Sequence, residues 1–156
     1  MTHRNLPALP VLPGAVGGGE EVPEYTLPQL DQAARGWWRE LRPGSVVWLS
    51  GDLGAGKTTL VQALARAGGA EPARSPTFAL VHQYAAPEGV LVHVDCYRLK
   101  RPEEAMDLDL PALASQARLT VIEWPERAGG FAPPPDLHLR LSHTDRADRR
   151  AVERVG

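Results

Sequence analysis

The chain reads as an α/β protein built on a mixed, mostly parallel sheet flanked by helices, with an antiparallel hairpin. Three observations predict this class. Short apolar runs rich in β-branched residues stand at SVVWLS (45–50), VLVHVDCY (90–97) and LTVIE (119–123), as strands do. Segments with helical spacing lie between them. Near the end, LHLRLS and RAVERV alternate in polarity and read as an antiparallel pair.

Length and composition set the bounds. A chain of 156 residues suffices for one domain with a real core but not for two ordinary ones. Its 43% hydrophobic and 23% charged residues are ordinary for a soluble globular protein. The net charge of −2 argues against a surface that grips nucleic acid by charge alone, so neither DNA nor a membrane is an expected partner. Cys96 is the sole cysteine, which excludes an intramolecular disulfide and argues against a cysteine-based zinc site. No run approaches the roughly 20 apolar residues of a membrane span. Pro7, Pro10 and Pro13 interrupt the weakly apolar start, which argues against a signal peptide. The expected location is the cytoplasm.

Taken in order, residues 1–22 are rich in Pro and Gly and read as a flexible tail, with the domain at 23–156. Leu27, Leu30, Ala34, Trp37, Trp38 and Leu41 recur at near-helical spacing and predict an amphipathic helix over 27–41. Pro43-Gly44 is a turn before the strand 45–50. A glycine-rich loop follows, and then a helical segment, TLVQALARA, ended by Gly68-Gly69. Strands at 77–84 and 90–97, joined by AAPEG, predict a hairpin with a five-residue loop. Pro102, Glu103 and Glu104 suit the first turn of a helix over 102–117. The strand 119–123 comes next, then the breaker cluster GGFAPPP and the closing pair.

The most specific motif is Gly51-Asp52-Leu53-Gly54-Ala55-Gly56-Lys57-Thr58, which fits G-x-x-x-x-G-K-[ST] between a strand and a helix. The glycines let the backbone curl so that successive N–H groups point at phosphate oxygens, and the helix adds its positive end. Lys57 can reach the outer phosphates, and the Thr58 hydroxyl can ligate Mg²⁺. Lysine is otherwise almost avoided in this chain, with Lys57 and Lys100 against fifteen arginines. The domain is therefore expected to be a single P-loop NTPase.

Such a site needs a second carboxylate at a neighbouring strand end. Asp95 ends VLVHV and Glu123 ends LTVI. Strand period places His93, Asp95 and Tyr97 on one face, with Cys96 on the other. One acid would join Thr58 on the metal and the other would position the attacking water; the sequence leaves open which does which. His93 taken alone reads as structural. Ser75-Pro76-Thr77-Phe78 reads equally as a plain turn and as a segment that senses the γ-phosphate.

The guanine-reading N-K-x-D motif is absent, since the single asparagine is Asn5, and no D-x-x-G follows the candidate metal strand. This favours ATP. Three functions stay open from the residues alone. One is a regulatory ATPase. Another is a small-molecule kinase, with Arg98, Lys100 and Arg101 as a cationic lid. The third is a non-catalytic nucleotide-binding module.

Four blocks in this order and spacing, GDLGAGKTT, SPTFALVHQY, HVDCYRL and VIEWPER, make residues 25–156 resemble the TsaE (YjeE) family. This is the ATPase component of bacterial tRNA threonylcarbamoyladenosine synthesis. The resemblance implies a seven-stranded-type mixed sheet. It also implies an ATPase, weak alone, that works with the TsaB–TsaD heterodimer on the adenosine beside the anticodon and meets tRNA only through that complex. It matches Thr58 to the family's threonine for Mg²⁺ and Glu123 to its E-W acid. It further matches His93, Asp95, Tyr97 and Arg98 to one motif, Ser75, Pro76 and Thr77 to a switch-like block, and Thr59 to the position beside the P-loop. The long tail and Cys96, where a leucine is usual, depart from the pattern without touching the chemistry.

Overall fold

Strands whose two faces are both apolar belong in the middle of a sheet covered on both sides, and burial sorts the strands of this chain accordingly. The computed structural model describes residues 22–52, 54–72 and 80–155. Its strands are β1 (Glu24–Thr26), β2 (Ser45–Ser50), β3 (Glu71–Pro72), β4 (Val81–Ala86), β5 (Gly89–Asp95), β6 (Leu119–Glu123), β7 (Leu137–His143) and β8 (Arg149–Arg154). The helices are α1 (Leu27–Glu40), α2 (Lys57–Gly68) and α3 (Leu110–Gln116), with 3-10 helices at Pro102–Leu108 and Pro125–Phe131. The strands form one sheet in the order β1-β8-β7-β2-β6-β5-β4-β3. The four central strands, β7, β2, β6 and β5, run parallel. Antiparallel partners flank them on both sides.

Side-chain alternation divides the core into two layers. Val47, Leu49, Leu91, Leu119, Val121, Leu137 and Leu139 pack with α1 and α2 on one face. Val46, Val92, Val94, Cys96 and Ile122 pack with α3 and the 3-10 helices on the other. Cys96 is thus a core residue, as its position predicts. Burial comes first, and the nearby acids Asp95, Glu126 and Glu123 add to it, pushing its thiol up to about 12.

The helix predicted at 27–41 forms over 27–40. Thr26 caps it, accepting from Gln29 N, while the Gln29 side chain accepts from Thr26 N. Leu30, Ala33, Ala34, Trp37 and Trp38 make its buried stripe, and burying Leu30 contributes about 2 kcal/mol. Trp38 lies across the end of α2, where a Cβ on Gly68 would fall 2.4 Å from its ring. A side chain at position 68 therefore requires Trp38 to move.

Three expectations are corrected. The β4–β5 turn is only Pro87-Glu88, because the Ala85 and Ala86 backbones pair with Val90 and Gly89. Strand β5 stops at Asp95, whose carboxylate accepts from Tyr97 N at 3.0 Å and turns the chain. The helix foreseen over 102–117 breaks at Asp109, which takes a left-handed φ of 48° and divides a 3-10 turn from α3. Its side chain accepts from Ala112 N, and Pro111 stands in the first turn of the new helix. The predicted tail (1–22, of which only residue 22 is described), Leu53, the start of the strand placed at 77–84, and Ser75, Pro76, Thr77 and Phe78 lie outside the described residues.

Candidate functional site

The site forms where β2 gives way to α2. Gly51, Gly54 and Gly56 all have positive φ, at 139°, 78° and 103°. At Gly51 the need for glycine is also spatial: a Cβ there would fall 2.3 Å from the Leu141 carbonyl oxygen of neighbouring β7. Gly56 stands at the N-cap of α2 and brings no side chain to the first amides of the helix. That end is therefore open to an anion.

Lys57 is buried, and its ammonium donates to the carbonyls of Gly51 and, at 3.0 Å, of Asp52. It also lies 4.5 Å from the centroid of the Trp124 ring, a favourable cation–π position. The lysine thus folds back over its own loop. The next residue, Thr58, is exposed.

Two carboxylates meet this loop from the adjacent parallel strands. Asp95 and Glu123 are direct register partners at the carboxyl ends of β5 and β6, where ligands of open α/β sheets gather. Lys57, Thr58, Asp95 and Glu123 line one cavity of about 230 Å³, with Trp124 and Arg150 among its other walls. Glu123 is only 4% exposed. It is bonded to the buried imidazole of His93 through Nε2. His82 on β4 stacks on His93 with ring centroids 5.9 Å apart. His93 therefore does more than fill the core: it holds the Glu123 carboxylate. Trp124 takes a left-handed φ of 55° just after that acid, and its ring meets Tyr97 at 5.1 Å.

The structure thus brings together the sequence-predicted Gly54, Gly56, Lys57, Thr58, Thr59, Asp95 and Glu123 around one cavity. Gly51, Asp52 and Ala55 belong to the loop behind it, where Ala55 N donates to Asp52 O. Arg98, Lys100 and Arg101 are not among the residues lining the cavity; the Lys100 and Arg101 amides are instead capped by Glu104. The arginine that does line it is Arg150, which the sequence reading did not single out. Arg150 comes from β8, far along the chain, and no local pattern around it signals a ligand.

Residues 26–152 match the family model described as threonylcarbamoyl adenosine biosynthesis protein TsaE. A relative from Nostoc sp., named tRNA threonylcarbamoyladenosine biosynthesis protein TsaE, is 40% identical over 71% of this chain and 70% of its own. Relatives of the same name from Haemophilus influenzae and Aquifex aeolicus are 34% and 38% identical. They align with 70% of this chain and with 69% and 77% of their own. The crystal structure of YdiB from Bacillus subtilis superposes with a TM-score of 0.61 over 86% of each chain at 22% identity, which supports the fold. With the family match spanning the loop, both acids and Arg150, the chain belongs to the TsaE family of tRNA threonylcarbamoyladenosine biosynthesis proteins.

Proposed function

We propose that the chain is an Mg²⁺-dependent ATPase that acts in the cytoplasm with a TsaB–TsaD heterodimer in threonylcarbamoyl modification of the adenosine next to the anticodon. Residues 23–156 would form its catalytic domain, and tRNA would be met only through the complex. The observation that carries the reading is the placement of Asp95 and Glu123, register partners on adjacent strands, across one cavity from Lys57 and Thr58.

In this reading the P-loop amides and Lys57 hold the phosphates, so Lys57 exchanges its bonds to the Gly51 and Asp52 carbonyls for phosphate oxygens. The donor set suits magnesium: one hydroxyl and one or two carboxylates, all hard oxygens, leave room for water and phosphate ligands. Among the described residues no cluster of three His, Cys, Asp or Glu side chains forms a closed metal cage, which fits a metal shared with substrate. Magnesium, held by Thr58 and Asp95 or Glu123, would neutralise charge developing on the outer phosphates. The acid not engaged there orients the attacking water, and the bond from His93 fixes Glu123 for either task.

The test is phosphate release from Mg-ATP by the purified chain, with and without purified TsaB–TsaD. Slow turnover that rises several-fold with the heterodimer, and is abolished in Lys57→Ala, supports the reading. Turnover indifferent to the heterodimer removes the partner from it, and wild-type turnover in Lys57→Ala removes the P-loop.

A further inference from the structure

Phosphoryl transfer builds charge on the outer phosphate, and a P-loop site commonly meets it with an arginine besides its lysine. Strand order locates where that arginine has to come from. Asp95 and Glu123 close β5 and β6, on one side of β2, whereas Arg150 belongs to β8 on the other. Arg150 is also pinned: its Nη1 donates to the Ala147 and Arg149 carbonyls, both at 2.9 Å. The reacting phosphate lies toward the acids, so its arginine must come from their side.

Two arginines follow the acids closely in the chain, Arg98 after Asp95 and Arg127 after Glu123. Both are exposed. Of the two, Arg127 is the one set against the cavity wall. Its guanidinium carbon stands 5.1 Å from the ring centroid of Tyr97 and 5.6 Å from that of Trp124, and both rings line the phosphate cavity. Its backbone amide donates to the Trp124 carbonyl at 3.0 Å, which keeps residue 127 close to Glu123. The same indole carries the Lys57 ammonium, so the P-loop lysine and this arginine share one ring. Among the described residues no carboxylate pairs with Arg127. Rings at an exposed position hold a cation weakly, whereas a guanidinium bonds phosphate oxygens two at a time and more strongly. Tyr97 and Trp124 thus form a shelf from which a bound triphosphate can draw Arg127.

We propose that Arg127 is a catalytic arginine supplied by the chain itself, which leaves this shelf to donate to the γ-phosphate oxygens as they gain charge. In that step the water oxygen bonds to the γ-phosphorus, and the bridging oxygen leaves on ADP with the electron pair of its broken bond. One water hydrogen stays on the new phosphate, and the other departs as a proton by way of the acid that orients the water. This deepens the ATPase reading and rests on it.

The experiment is calorimetric titration of the full chain, with Mg²⁺, using ADP alone and ADP with aluminium fluoride, which mimics the transferring phosphoryl group. Wild type, Arg127→Ala and Arg127→Lys are compared, melting curves establish that each is folded, and phosphate release from Mg-ATP is measured beside the titrations. The wild-type chain should bind ADP about tenfold or more tightly when aluminium fluoride is present. Both variants should bind ADP alone within about twofold of wild type, lose that tightening, and turn over ATP about a hundredfold or more slowly. Lysine keeps a cation over the rings but lacks the planar fork, so a wild-type-like Arg127→Lys assigns Arg127 to packing and overturns the proposal. Variants that weaken ADP alone as much as ADP with aluminium fluoride also overturn it. A wild-type chain that binds ADP without any tightening removes the arginine while the nucleotide site stands. A wild-type chain that does not bind ADP overturns the nucleotide reading itself, and this inference with it.

Discussion

At the scale of single residues, the site depends on how its two acids are held. Asp95 spends one carboxylate oxygen on the Tyr97 amide, whereas Glu123 is held by the buried His93. Glu123→Gln keeps the side chain's size but removes the charge. It is expected to retain ATP binding and lose about a hundredfold or more in turnover. Comparing kcat with nucleotide affinity checks this; lost binding would instead make Glu123 chiefly a metal ligand. His93→Leu should move kcat in the same direction by about tenfold to a hundredfold, as loss of an orienting partner usually does. His93→Gln, which keeps a donor, should recover part of it. The glycines, Lys57 and Thr58 are legible in sequence because their chemistry is local: eight consecutive residues between a strand and a helix. Arg150 is not legible, since it reaches the site only through the pairing of β7 with β8.

At the scale of elements, the bounds of β2 match the sequence reading because an apolar run meets sharp turn signals at both ends. The three-residue β1 escapes it: a span that short shows no alternation, and its pairing with β8 is decided by the chain it meets. The break at Asp109 was masked by helix-like polarity on either side of it. Helix α2 carries the phosphate loop at one end and meets α1 at the other. Gly68→Ala forces a carbon into the Trp38 ring. Relieving that overlap should cost about 1–3 kcal/mol, read as a lowered denaturation midpoint. An unchanged midpoint would show that Trp38 can swing aside freely.

Over the whole molecule, the α/β plan was legible because β2, β5 and β6 are largely apolar on both faces, while β7 alternates in polarity. The contributions of distant strands to a single cavity depend on topology, which no short window of sequence contains. Stability against acid is also a property of the assembled sheet. His138 on β7 bonds Ser50 at 2.7 Å and meets the edge of Trp48 at 5.6 Å. Burial, reinforced by nearby Arg140 and opposed by Glu126, holds its imidazole below the ordinary 6.5. Around and below that ordinary value the unfolded chain takes up the proton more readily than the folded one. The stabilisation is therefore complete above it and is lost as pH falls through the folded value. Melting temperature should decline between about pH 7 and pH 5, and less steeply in His138→Gln. Equal slopes would assign the decline to other groups.

The sheet's ends carry a further consequence. Its outermost described strands, β1 and β3, are three and two residues long, and proline, which has no amide hydrogen to offer, occupies position 72 in β3. Long, regular margins let one chain template another into fibres. Among the described residues the outermost strands offer such a template only three and two residues, which limits how far the apolar parallel centre can recruit copies of itself through them.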